Sequence, residues 1–185
     1  MEGTGADLIV AYLKAEGVRF VFGVIGSSIL DLTDALYREP AIRYIPTQHE
    51  QAAAYMADGY ARVTGRPGVC TATVGPGATN MVSGIAQAYV ESSPVIVLLG
   101  DISTLHHGRG SSNFHEVDQE AVFRPITKLS RRVERADRLG EWLHTAFRVA
   151  TAGRQGPVAL HLPRDVLRAQ VVAEVPAPLD HRPVA

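Results

Sequence analysis

Glu50 is the first candidate for chemistry in this 185-residue sequence, because it opens an alanine-rich stretch that is otherwise short of reactive groups. His49 and Gln51 flank it, and three alanines follow at residues 52–54. One interpretation is a surface glutamate in the first turn of a helix, where the helix dipole favours a negative charge. The other is a carboxyl group in a tight apolar niche, where burial would raise its pKa and let it exchange a proton. The local sequence does not decide between these two interpretations.

A glycine-rich turn, Gly75-Pro76-Gly77, follows an apolar run and precedes a stretch of small residues. Its glycines would let a ligand approach the backbone, and the helix that follows offers free N–H groups. The turn is not a P-loop, because GK[ST] is absent. It also fails as a dinucleotide fingerprint, because Asn80 stands where the third glycine belongs. The turn alone does not identify a ligand.

The remaining reactive side chains match no familiar catalytic or metal site. His106 and His107 are adjacent, which points their side chains apart, and residues 115–118 lack the spacing of a metal site. We predict a polar loop with solvated histidines and no metal. Cys70 lies in an apolar strand without a cationic neighbour, so we expect a buried, inert thiol. A GxSxG nucleophile elbow is absent.

The composition of the chain argues against several classes of protein. The net charge of −1 gives no reason to expect nucleic acid or an anionic membrane as a partner. No apolar run reaches the ~18 residues of a membrane span, and the first residues lack the pattern of a secretory signal. A single cysteine excludes an intrachain disulfide and fits a reducing compartment. We therefore expect a cytoplasmic globular domain.

Apolar runs of strand length alternate with helical patterns about six times. This alternation predicts an α/β fold with helices on both faces of a parallel sheet, because parallel strands need crossover helices. A capping box at Thr4 and Asp7 begins a first helix, and Gly17 ends it. Strands are predicted at residues 20–24, 41–47, 68–74, 94–100, 126–133 and 156–162, and further helices at 27–37, 50–64, 78–90, 114–123 and 136–152.

Several segments, taken in order, resemble one family: the thiamine-diphosphate-dependent enzymes of the acetolactate synthase and 2-oxo-acid decarboxylase group. The resemblance covers residues 4–168 and is highly specific in order and spacing. It is carried by GADLIVAYLKAEGVRFVFGVIGSS, QHEQAAAYMADGYARVTGRPGVC, VGPGATNMVSGIAQAYVESSPVIVLLGD, FRPITK and GPVALHLPRDV. It implies a three-layer α/β/α domain with a six-stranded parallel sheet at residues 1–168, which binds the cofactor's pyrimidine. Residues 169–185 then form a proline-rich linker towards a missing middle domain.

The resemblance assigns roles to individual residues. Glu50 matches the catalytic glutamate that hydrogen-bonds N1′ of the aminopyrimidine and so promotes proton removal from thiazolium C2. Ile25 and His115 depart from the pattern, since many relatives carry Pro and Gln there, and the second departure leaves the substrate open. The residues matched to the cofactor are Val24, Ile25, Gly26, Glu50, Thr73, Pro76, Gly77 and Asn80, and those matched to the substrate are Ser27, Ser28 and His115.

The resemblance also implies partners. Relatives bind the cofactor's diphosphate through Mg²⁺ in another domain with a GDG motif, whereas here Gly100-Asp101 is followed by Ile102. The implied function is decarboxylation of a small 2-oxo acid followed by carboligation. The domain would be inactive alone and would need a diphosphate-binding domain of the same or another chain in a homodimer or homotetramer. FAD is possible in the full-length protein. The alternatives are a non-catalytic assembly or regulatory relative, a simple decarboxylase and another lyase of this cofactor.

Overall fold

The computed structural model describes residues 1–109, 113–175 and 177. Its central sheet contains six strands, β2 (Phe20–Gly23), β3 (Arg43–Pro46), β4 (Gly68–Ala72), β5 (Val95–Asp101), β6 (Leu129–Arg132) and β7 (Val158–Pro163). All six are parallel, in the spatial order β3-β2-β4-β5-β7-β6. The predicted six-stranded parallel sheet is therefore confirmed.

Helices cover both faces of this sheet, which completes the predicted three layers. One face packs against α1 (Gly5–Ala15), α2 (Leu30–Arg38) and α7 (Leu139–Thr151). The other packs against α3 (Glu50–Thr64), α5 (Val82–Val90) and the short helices α4 (Pro76–Asn80) and α6 (Gln119–Phe123). Every residue of β5 and β7 is buried, as expected for parallel strands covered on both sides. No helix in the described ranges is long and apolar enough to cross a membrane.

Several predicted element boundaries differ from the structure, and three of these differences have a clear local reason. The helix expected at 78–90 is two helices, because Met81 ends α4 by donating its N–H to the Ala78 carbonyl. The helix expected at 114–123 begins only at Gln119, because His115 has a φ of 66° that no helix accommodates. The strand expected at 126–133 is shorter, because Arg124–Ile126 forms a 3₁₀ turn around Pro125.

A second, two-stranded sheet joins the N-terminus to residues near the end of the described chain. Strand β1 (Glu2–Thr4) pairs antiparallel with β8 (Gln170–Val172), which follows the short helix α8 (Arg164–Arg168). Val171 is buried, and the Met1 amino group donates to the Ala173 carbonyl at 2.6 Å. Residues 170–172, assigned from sequence to the linker, therefore pack on the domain. Most of the proline-rich remainder lies outside the described residues.

Helices α3 and α5 approach closely through a glycine. A Cβ atom added to Gly84 on α5 would lie 2.6 Å from the Cβ of Ala54 on α3, closer than real Cβ atoms come. A Cβ atom added to Gly59 on α3 would have no neighbouring atom within 4 Å. The two glycines therefore differ in packing although both lie within helices.

We expect the same substitution to act in opposite directions at these two glycines. Gly84→Ala should lower the free energy of unfolding by about 1 kcal/mol or more, because overpacking outweighs the gain in helix propensity. Gly59→Ala should raise it by about 0.5–1 kcal/mol. Urea unfolding of both variants beside the unchanged chain measures this. A stabilised Gly84→Ala variant would show that the two helices are not in contact at this point.

His161 on β7 is a fully buried imidazole within the apolar layers. Its Nε2 lies 2.9 Å from the Ser130 hydroxyl of β6, and the Phe123 ring meets it edge-on. Burial lowers the pKa of His161 from 6.5 to about 4, and the Arg132 charge acts in the same direction. The fold therefore holds this side chain in its neutral form.

This buried histidine should make the domain less stable in acid. Between pH 4 and 6.5 the unfolded chain binds a proton at His161 that the folded chain excludes. The stabilisation is thus complete above pH 6.5 and is lost as pH falls towards 4, by up to about 3 kcal/mol. Urea unfolding from pH 7 to 4.5 should show a steeper loss for the unchanged chain than for His161→Asn, which lacks the titrating group. Parallel losses would contradict this assignment.

Candidate functional site

The predicted site residues gather where the parallel strands end, the edge at which α/β proteins bind ligands. Val24, Ile25 and Gly26 follow β2, and the stretch from Thr73 to Gly77 follows β4. Glu50 begins α3 shortly after β3 ends. Because β2 lies between β3 and β4, the three segments are neighbours at one edge of the sheet.

Glu50 lies in the first turn of α3 and is buried there. His49 precedes it as the N-cap and accepts from the Gln51 N–H at 3.2 Å. The Glu50 side chain is 9% exposed, and its Oε2 accepts from Asn80 Nδ2 at 2.9 Å. Among the described residues Oε1 accepts no hydrogen bond. One carboxyl oxygen is thus held in place while the other is available.

Thr73 connects the segments that follow β2 and β4. Its hydroxyl lies 2.9 Å from that of Ser28, which also accepts from the Val74 N–H at 2.9 Å. A Cβ on Gly26 would lie 2.4 Å from the Thr73 Cβ, and one on Gly77 would lie 2.7 Å from its methyl group. Both positions must therefore be glycine, and the structure brings Gly26, Thr73 and Gly77 together as predicted for one site.

Gly77 also leaves space beside the catalytic candidate. A Cβ at this position would lie only 3.1 Å from Glu50 Oε1. The missing side chain therefore leaves that oxygen uncovered on the side of the turn. A single carboxyl oxygen facing a side-chain-free turn leaves room for a flat ring that hydrogen-bonds to it.

Gln119 fixes the start of the glycine turn and was missed by the sequence analysis. Gly75 has a φ of 69°, and its N–H donates to Gln119 Oε1 at 2.7 Å. Gln119 Nε2 donates to the Gly100 carbonyl at 3.1 Å, so this buried amide joins the ends of β4 and β5. No local pattern marks Gln119, because a glutamine in a short helix ordinarily predicts solvent exposure.

The other predicted residues occupy the same edge with different surroundings. Ser28 is buried and its hydroxyl is engaged by Thr73 and Val74, whereas Ser27 is exposed. The His115 ring stacks on Phe114 with centroids 3.6 Å apart. The roles assigned to all of these residues stay predictions. Val24 is half-buried, and Ile25 and Pro76 are exposed.

A cavity of about 220 Å³ opens beside these serines. Ser27, Ser28 and Phe114 line it together with Arg164. The Arg164 Nε is buried, finds no hydrogen-bond partner among the residues that the structure describes and lies 3.8 Å from Asp31. A larger cavity of about 550 Å³ lies between α1 and α2 and contains none of the predicted site residues. Its charged lining is already paired, as Lys14–Glu39 and Arg38–Asp7.

Cys70 is fully buried, and burial raises the pKa of its thiol, which confirms the predicted inert cysteine. Nearby, the buried Tyr44 hydroxyl makes no hydrogen bond within the described part of the chain. Burial raises the pKa of the Tyr44 hydroxyl. His106 and His107 are exposed, and residues 1–109, 113–175 and 177 contain no group of three His, Cys, Asp or Glu that could hold a metal ion.

Comparison with known proteins agrees with this site. The family described as "Thiamine pyrophosphate enzyme, N-terminal TPP binding domain" matches residues 3–122. A probable acetolactate synthase large subunit of Methanocaldococcus jannaschii is 45% identical over 179 residues, which cover 95% of this chain and 30% of that protein. The acetolactate synthase isozyme 3 large subunit of Escherichia coli is 43% identical over 164 residues, or 89% of this chain and 28% of that protein.

The acetolactate synthase large subunit of Haemophilus influenzae is 42% identical over 164 residues, again 89% of this chain and 28% of that protein. The chain thus spans less than a third of the length of these relatives, and the aligned third contains Glu50 and the glycine turn. The family match covers more than half of the chain and includes every predicted site residue. The chain belongs to the thiamine pyrophosphate enzymes and forms their N-terminal, thiamine-pyrophosphate-binding domain.

Proposed function

We propose that this domain holds the aminopyrimidine ring of thiamine diphosphate in an enzyme that decarboxylates a 2-oxo acid and ligates the product to a second carbonyl, as acetolactate synthases do. The observation that carries the proposal is the Glu50 carboxyl group, which is buried, held by Asn80 and open at Oε1. The similarity of this chain to acetolactate synthase large subunits supports the choice of reaction.

Each residue around Glu50 has a role in positioning the proton transfer. Oε1 would form the hydrogen bond to N1′ of the ring and exchange a proton with it. The hydrogen bond from Asn80 to Oε2 stops the carboxyl group from rotating. Gly77 lets the ring approach that oxygen, and Thr73 holds the turn against Gly26. When bound, the cofactor supplies the electron sink, while the protein supplies orientation and the carboxyl group.

The cavity beside Ser27 supports a small, anionic substrate. At about 220 Å³ it is below the usual range for drug-sized ligands. The Arg164 guanidinium in its wall has the geometry that binds carboxylates, and its Nε lies 3.8 Å from the Asp31 carboxylate. A 2-oxo acid carries one carboxylate beside its reacting carbonyl, so the charge and the size of the cavity both fit this class.

The second half of the cofactor site is proposed to lie on another domain, of the same or another chain, that binds the diphosphate through Mg²⁺. The isolated chain would then be inactive. FAD in the complete protein and a cytoplasmic location are proposed from the resemblance and the composition. A purely structural or regulatory relative would have no need for a buried carboxyl group with one free oxygen. This observation therefore favours an enzyme, and the choice between carboligase, simple decarboxylase and other lyase rests on the relatives.

A surface on α3 and α5 supports self-association, as a homodimer or a homotetramer built from such pairs. Tyr55 and Met56 are 44% and 45% exposed, and Val63 and Val90 are 88% and 68% exposed. Apolar side chains grouped on one outer layer usually cover a partner. We expect a second copy to pack here about a two-fold axis, because closed two-fold pairs are the commonest assemblies.

The role of Glu50 is tested by Glu50→Gln in the enzyme assembled with its diphosphate-binding domain. Glutamine keeps the size of the side chain but cannot exchange the proton, so turnover should fall by about 10²–10⁴-fold. Hydrogen–deuterium exchange at C2 of the bound cofactor should slow in parallel. Glu141→Gln, an exposed change on α7, serves as the control. Normal turnover and normal C2 exchange in the Glu50 variant would show that Glu50 has no catalytic role and only begins the helix.

The association surface is tested by two matched changes. Tyr55→Lys places a charge within the α3–α5 surface, whereas Tyr37→Lys changes an 89% exposed tyrosine on the opposite layer. Light scattering across a wide range of concentration should show that the unchanged chain and Tyr37→Lys associate, and that Tyr55→Lys is shifted to monomer. A monomeric unchanged chain, or equal behaviour of the two variants, would argue against this surface.

A further inference from the structure

The geometry points to His161 as a positioning residue for the glycine turn, acting through the amide group of Gln119. His161 lies on β7, and within the described ranges its hydrogen bonds and ring contact reach none of the residues assigned to the cofactor. Its Nδ1 lies 3.5 Å from Gln119 Nε2, and Gln119 in turn accepts the Gly75 N–H at 2.7 Å. A buried side chain on β7 is thereby connected to the first residue of the Gly75-Pro76-Gly77 turn.

Two backbone groups fix which way the Gln119 amide points. The Gly75 N–H can only donate, so the amide oxygen must face it. The Gly100 carbonyl can only accept, so the amide nitrogen must face that side. The remaining N–H of the same nitrogen then points at His161 Nδ1. No rotated amide satisfies both backbone groups.

This orientation also determines the tautomer of His161. A protonated Nδ1 would place two donors against each other, so Nδ1 must be the acceptor and Nε2 must carry the proton. Nε2 then donates to the Ser130 hydroxyl at 2.9 Å, and that hydroxyl donates to the Glu120 carbonyl at 3.0 Å. Along the path from Gly75 through Gln119 and His161 to Ser130, only one assignment of donors and acceptors gives every donor an acceptor.

The charges around His161 favour this neutral tautomer. Arg132 is buried and ion-paired with Asp101, and its charge opposes protonation of the imidazole. Asp118 acts in the opposite direction, while the groups in direct contact, Gln119 and Ser130, carry no charge. The Phe123 ring closes the remaining side. The arrangement therefore holds at neutral pH and should fail only in acid.

The connection matters for the site because the turn carries Gly77 and leads into Asn80. Gly77 faces Glu50 Oε1, and Asn80 holds Oε2. A turn released at Gly75 would loosen both neighbours of the Glu50 carboxyl group. This consequence for the cofactor rests on the proposed function, whereas the contact between His161 and Gln119 does not.

Two variants of the full chain separate the two sides of the imidazole. His161→Asn places an acceptor near the position of Nδ1, whereas His161→Gln places its amide near the position of Nε2 and faces Ser130. Both are neutral and polar. Amide hydrogen exchange followed by NMR should show about ten-fold faster exchange at Gly75 in His161→Gln, the effect of losing one buried hydrogen bond, and near-normal exchange in His161→Asn. The Leu98 amide within β5 reports whether the whole fold has loosened.

Nitrogen-15 NMR of the unchanged chain gives a second test that needs no variant. The expected result is a neutral His161 with the proton on Nε2, and protection of the Gly75 amide that is lost in acid as His161 titrates. A proton on Nδ1, or equal Gly75 exchange in the two variants, would overturn the proposal. Neither measurement involves thiamine diphosphate, so failure of the proposed function would leave these results unchanged.

Discussion

The contact of Thr73 with two glycines is the constraint on which the site depends. Gly26 and Gly77 approach Thr73 so closely that neither could carry a side chain, and the Ser28 hydroxyl joins the same cluster. The segments that follow β2 and β4 are therefore fixed by the close packing of the Thr73 side chain against two glycines. Glu50 is held at this edge by Asn80, so its free oxygen faces a turn that carries no side chain at Gly77.

The parts of the fold that could be predicted are those with local causes. The capping box at Thr4 and Asp7 begins α1, and Gly65 ends α3 in the left-handed conformation. Continuous apolar runs predicted the buried strands, because a parallel sheet covered on both faces needs them at every position. Glu50 and the glycine turn could be assigned because their order and spacing resemble one family, which the comparisons then showed.

The parts that could not be predicted depend on residues far apart in sequence. Asn80 was expected beside the pyrimidine, but its bond to Glu50 joins residues thirty positions apart. Gln119 reaches back forty-four positions to Gly75. The pairing of β1 with β8 spans almost the whole described chain, and three-residue strands carry too little pattern to be detected. Such contacts follow from the assembled sheet and leave no periodicity in the sequence.

The β1–β8 pair closes the described domain into a loop. Met1 and Ala173 meet at a single corner of the domain, and Val175 still packs on the core beyond it. A pull applied at Met1 and Ala173 would load the short β1–β8 ladder before the central sheet. An artificial joint between these two residues would need only a short bridge.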